Sequence, residues 1–172
     1  MPDVFDGLIQ SNFSSGQHGN FEAVILEGDR LVHWFRDQDA PGLPWRQGQV
    51  IVNGGAAWPG ALIQSNFSSG QHGNFEVIAP VRVGDHVELR HYWHDNSDVS
   101  LPWEPAGGPI ATNVAGPASL IQSDFGSGGH GNFELVVPLT AAGGSEVHLW
   151  HYWHDNSDVS LPWEQGQRIP AA

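Results

Sequence analysis

Apolar and polar residues alternate with a period of two along much of the chain. From Asn74 to Ala79, the residues Phe75, Val77 and Ala79 fall on one face of an extended segment, and Glu76 and Ile78 fall on the other. From Val87 to His94 the same alternation puts Val87, Leu89, His91 and Trp93 on one face. Both stretches predict β-strands. A shorter strand is expected at Leu62–Ser65, and a weaker fourth near Trp103 and Ile110. Gly70 and Gly73 bracket the first turn, where a positive φ is expected. Asp95-Asn96-Ser97-Asp98 makes a second turn, because Asx side chains hydrogen-bond their own backbone.

The pattern recurs three times. Residues 8–22 and 62–76 are identical, LIQSNFSSGQHGNFE, and 120–134 read LIQSDFGSGGHGNFE. Residues 91–104 and 151–164 are both HYWHDNSDVSLPWE, with a diverged copy, HWFRDQDAPGLPWR, at 33–46. The units run 8–61, 62–119 and 120–172. Their lengths differ between Phe21 and Trp34, Phe75 and Tyr92, and Phe133 and Tyr152, which are separated by 13, 17 and 19 steps. A surface loop that tolerates insertion is expected there. Sixteen residues separate Trp45 from Leu62, and sixteen separate Trp103 from Leu120. Seven precede Leu8 and nine follow Trp163, so 1–7 and 165–172 read as the halves of one split connector. Its tail, Glu164-Gln165-Gly166-Gln167-Arg168-Ile169, echoes Arg46-Gln47-Gly48-Gln49-Val50-Ile51. A closed ring is expected, within one chain or head to tail between chains, since closure leaves no sheet edge exposed at a seam.

Composition narrows the class. The 22 Gly and 12 Pro, spread over 172 residues, suit many short strands and tight turns rather than long helices. A hydrophobic content of 40% with eight Trp can build a core. The formal net charge is −13 and Lys is absent, which disfavours nucleic acid and anionic lipid as partners. There is no Cys, so thiolate chemistry is excluded and the redox compartment is unreadable. Met1–Asp6 contains neither a basic region nor an apolar stretch, so a soluble chain without membrane insertion is expected, at an unassigned location.

Four strands per repeat is the make-up of a propeller blade. The segments Leu89-Arg90-His91-Tyr92-Trp93-His94 and Leu149-Trp150-His151-Tyr152-Trp153-His154 resemble the Leu-Trp-His-x-Trp blade motif of the PLL-like bacterial propeller lectins. That resemblance implies a fucose-binding, seven-bladed relative and a non-catalytic lectin. The longer repeat, the repeated Gly-Asn-Phe-Glu and the three units depart from it. Three blades cannot close a propeller, so the expectation is an all-β propeller with three four-stranded blades per chain, completed to six by a head-to-tail homodimer. The alternative is a single-chain threefold β-trefoil or β-prism, although the trefoil lectins' Gln-x-Trp is absent.

Several recurring residues suit recognition of neutral glycans. An indole from Trp45, Trp103 or Trp163 could stack on a pyranose face, or it could pack between sheets. Arg36 and Asp37, His94 and Asp95, and His154 and Asp155 follow the aromatic strand and could hydrogen-bond vicinal hydroxyls, or simply cap a turn. His18, His72 and His130 could add a hydrogen bond. Phe35, Trp93 and Trp153 alternate with Leu31, Leu89 and Leu149 and read as core. Tight metal-ligand motifs and nucleophile motifs are missing, so no metal, cofactor or catalysis is expected. A threefold pattern suits multivalent binding, where linked weak sites gain avidity. The remaining alternative is a structural or protein-binding scaffold without a sugar site.

Overall fold

The computed structural model describes residues 4–13, 16–67, 71–126 and 129–170. All of the regular structure in them is β. The first sheet holds β1 (Val4–Gln10), β2 (Phe21–Glu27), β3 (Arg30–Arg36) and β4 (Arg46–Val52). The second holds β5 (Ala61–Gln64), β6 (Phe75–Val83), β7 (His86–His94) and β8 (Glu104–Pro105), and β9 (Ala111–Thr112) pairs with β7 beyond β8. The third holds β10 (Ser119–Gln122), β11 (Phe133–Thr140), β12 (Val147–His154) and β13 (Glu164–Ile169). The first and third sheets are simple four-stranded antiparallel meanders in chain order, and the second is such a meander with β9 as a fifth strand beside β7. The first strands β1, β5 and β10 lie side by side in succession.

The repeat's register is conserved where its sequence is. Phe21 pairs with Arg36, Phe75 with His94 and Phe133 with His154. The length differences are taken up at the β2–β3, β6–β7 and β11–β12 hairpins, whose turns carry Gly28, Gly84 and Gly143 at positive φ. The described parts of the two connector halves are themselves strand: β1 begins at Val4, and β13 covers the Glu164–Ile169 echo of β4.

The sheets stack face to face. Val24, Leu31 and Leu26 of the first sheet share a core with Leu62, Phe75, Val77, Ala79 and Trp103 of the second. The opposite face of the second sheet, with Ile78 and Leu89, shares a core with Leu120, Phe133, Leu135 and Val137 of the third. The middle sheet is therefore buried on both sides, and β6 is buried from Phe75 through Val81 despite its alternating sequence. The outer sheets each keep one face that the described residues leave uncovered, with Leu8 and Trp45 exposed on the first and Ile121 and Leu149 on the third. Within one chain the described residues form three separate sheets and no closed ring.

The first turn corrects another expectation. Gly73 does not adopt a positive φ, and Gly70 lies outside the described residues. Gly73 is needed because a Cβ there would run into the backbone oxygen of Ser65, and Gly19 and Gly131 meet Ser11 and Ser123 in the same way. This close approach accompanies the Ser65 N–H bond to the Asn74 carbonyl at 2.8 Å, repeated at Ser11–Asn20 and Ser123–Asn132. Gly108 has nothing within 4 Å of its Cβ position. Gly73→Ala is therefore expected to cost about 3 kcal/mol through overpacking against backbone, while Gly108→Ala leaves stability unchanged. Urea unfolding of the two variants compares them.

Candidate functional site

Two equivalent pockets open at the two junctions between sheets. The larger, about 690 Å³, lies between the second and third sheets. One wall is Phe67, Asn74, Glu76, His91 and Trp93, and the other is Phe133, His154, Asn156, Trp163 and the loop Val159–Pro162. The smaller, about 200 Å³, uses the matching residues Phe13, Asn20, Glu22, His33 and Phe35 against Phe75, His94, Asn96, Val99 and Trp103. The two junctions differ at the fourth strand of the leading unit. The fourth strand of the second unit breaks after Pro105, and Gly107 turns away at positive φ, which opens the larger pocket along Ala106–Pro109. In the first unit β4 continues, and Gln49 spans the gap by donating to the Val99 and Leu101 carbonyls at 3.2 and 2.8 Å.

A cluster of rings lines each junction. Trp103 stacks on Phe75 with centroids 6.5 Å apart, and His94 leans on Trp103 at 5.4 Å. His33 crosses from the first sheet to within 5.5 Å of Phe75 and 5.8 Å of Trp103. The next junction repeats this with Phe133, Trp163, His154 and His91. In the first unit Arg36 replaces the imidazole, and its guanidinium lies 4.8 Å from the Phe21 centroid and 5.7 Å from that of Trp45.

A Ser–Glu–His clasp holds the wall of each pocket, and this was missed at the level of sequence. Ser65 donates to Glu76 Oε1 at 2.9 Å, and the other oxygen of that carboxylate meets His91 Nε2 at 2.9 Å. Ser11–Glu22–His33 and Ser123–Glu134–His151 repeat it. The signal was present: Ser, Glu and His recur once per unit in matching positions. The carboxylate sits between the hydroxyl and the imidazole. A hydrolase triad needs the imidazole between the other two, so that it can take the hydroxyl proton. The clasp instead satisfies a buried carboxylate with two partners and ties the second and third strands to the end of the first.

The expected site residues divide into three groups. Trp103 is buried at 9% exposure within the inter-sheet core, Trp163 is half-buried in its equivalent place, and Trp45 is 42% exposed on the uncovered face of the first sheet. His94 and His154 are buried and bond through Nδ1 to Asn96 and Asn156, which in turn donate to the Gly73 and Gly131 carbonyls. Asp95 and Asp155 accept the Ser97 and Ser157 N–H groups, which makes both Asx turns. That bond, and the second to Ser157, hold the Asp155 carboxyl below its ordinary pKa. Asp37 likewise accepts the Asp39 N–H at 2.9 Å. His18 meets Asp39 at 2.8 Å. His72 packs edge-on to Phe13 of the preceding unit at 4.7 Å, and His130 stacks on Phe67 of its preceding unit at 4.3 Å. His72 and His130 therefore bridge units, while His18 pairs within its own. Trp93, read from sequence as core, stands half-buried in the wall of the larger pocket.

No family model, curated protein or solved structure matches this chain. The site's chemistry rests on its own geometry. Asn20 and Asn74 line the two pockets, and both Oδ1 atoms are out of solvent without a hydrogen-bond partner, as is Asn132 Oδ1 in the third unit. Trp103 Nε1 is likewise unpartnered. Such groups are uncommon in folded proteins. Among the described residues, no group of three or more His, Asp or Glu gathers to hold a metal ion.

Glu76→Ala leaves Ser65 and His91 without their shared acceptor. It is expected to lower stability by about 3 kcal/mol, whereas Ser65→Ala costs about 1 kcal/mol. Chemical denaturation measures both, and the larger loss belongs to the glutamate.

Proposed function

We propose that the chain is a multivalent, non-catalytic carbohydrate-binding protein whose sites are the junctions between successive sheets. The observation that carries this reading is the recurrence of one pocket type, with aromatic walls and a few polar groups, wherever two sheets meet. A sugar presents an apolar C–H face and hydroxyls that both donate and accept. Phe67, Trp93 and Trp163 suit the first, and the amide groups of Asn74 and Asn156 suit the second, because both ring nitrogens of His154 are held by Asn156 and the Leu161 carbonyl. Neutral sugars fit better than sulfated or sialylated ones, given the net charge of −13. The resemblance to PLL-like propeller lectins supports the same reading, with each sheet as one blade. Three separate antiparallel sheets, of four, five and four strands, with uncovered end faces fit part of a propeller, completed to six blades by a second chain, better than a trefoil or prism closed within one chain.

This reading moves the aromatic plate. Trp103 is mostly spent on packing the sheets together, which favours the scaffold alternative for that residue. Trp93 is the better plate at the larger junction. The polar contribution shifts from Asp95 and Asp155, which cap turns, to the amide groups of Asn74 and Asn156.

A glycan array followed by calorimetry tests the proposal. Binding of a neutral saccharide is expected, and Trp93→Ala should weaken it at least about tenfold, roughly 1.4 kcal/mol, with an unchanged melting temperature. Absence of any hit at high protein concentration would favour the scaffold.

A further inference from the structure

We infer that the two uncovered end faces are the halves of a third junction, and that a second copy of this chain covers them head to tail and completes a composite pocket there. The pocket's role as a binding site rests on the function proposed above; the assembly itself does not.

The argument is one of position-by-position comparison within the chain. Facing the preceding sheet, Leu62 and Leu120 are 7% and 6% exposed, whereas the matching Leu8 is 51% exposed. Trp103 is buried, and the matching Trp45 is open. Facing the following sheet, Leu31 and Leu89 are fully buried, whereas Leu149 is 44% exposed. Ile9 and Ile63 are partly covered, whereas Ile121 is 56% exposed. The clasp shows the same step: the His33 and His91 side chains are 12% and 8% exposed, and that of His151 is 37%. The first sheet therefore exposes the face that the second and third bury, and the third sheet exposes the face that the first and second bury.

Polar contacts between units leave matching vacancies. Gln64 donates to Asn12 Oδ1 at 2.6 Å and accepts the Asn12 N–H at 2.7 Å, and Gln122 does the same with Asn66 at 2.7 and 2.8 Å. The next members of that series are Gln10 and Asp124, and both are exposed. A histidine packs on Phe13 and another on Phe67, but Phe125 is 76% exposed. His18 of a second copy is the residue that would reach it.

The two faces differ, so the contact is heterologous and must either close or grow without limit. Two chains provide six sheets, within the range in which such stacks close into rings. The composite pocket is not a copy of the other two. Arg36 and Gln38 occupy the places of His94 and Asn96, beside Trp45, and would face Glu134 and His151 of the neighbouring chain. A guanidinium there, with Nε buried and unpartnered, adds donors for acceptor-rich groups.

Light scattering and native mass spectrometry of the full chain, with Leu8→Asp and Leu149→Asp, test this. Both side chains are exposed in one chain, so circular dichroism should show each variant folded. The unaltered chain is expected at twice its monomer mass, and each variant alone at the monomer mass. An equal mixture of the two variants should recover the two-chain mass, because one junction of such a pair joins unaltered faces. A monomeric unaltered chain, open-ended growth with concentration, or a variant that remains dimeric alone overturns the inference. Glycan binding on the same samples separates the claims. Binding by a chain that stays single defeats the assembly alone, and a dimer that binds no glycan defeats only the function.

Discussion

Everything in this molecule depends on the contact between one sheet and the next. A four-stranded meander cannot hide both of its faces by itself, and both faces of this repeat carry apolar residues. Val77 and Ala79 need one neighbour, and Ile78 and Leu89 need another. Only the middle sheet has both. The recurring cluster of His, Phe and Trp between sheets forms this contact, with large aromatic areas at edge-on and stacked distances. The same rings line the junction pockets, so structure and candidate function share one set of side chains.

That sharing explains why the buried polar groups are so regular. Glu22 and Glu76 lie within the stack, where an unpaired carboxylate would be costly. The serine hydroxyl just past the first strand and the imidazole of the third meet it, and the His94–Asn96 and His154–Asn156 pairs secure the opposite wall. Walls held in this way would lower the ordering cost of binding under the proposed function. Divergence is concentrated in the first unit, where Arg36 and Gln38 replace an imidazole and an amide, and in the broken fourth strand of the second.

Much of the local structure was legible in the sequence. The period-two runs located β6 and β7, the changing spacing located the insertion-tolerant hairpins, and Asp95 and Asp98 form the Asx turns expected of them. Three features were not legible. Alternation cannot distinguish a strand with one wet face from one buried on both sides, because Ile78 looks the same in either. Gly73 shows in sequence only as a glycine, and the reason for it is contact with a Ser65 oxygen that spacing does not reveal. The pairing of Glu76 with Ser65 and His91 crosses three strands, and only the register of the sheet brings them together. For the same reason Trp93 read as core and Trp103 as a possible plate, although geometry puts Trp93 in the pocket wall and most of Trp103 in the stack.

Small-angle X-ray scattering on the unmodified chain tests the central claim most directly, because it reports mass and shape together. The account predicts a particle of two chains whose distance distribution fits a closed stack of six sheets. A curve that fits one chain, with three stacked sheets and both end faces in water, would contradict it.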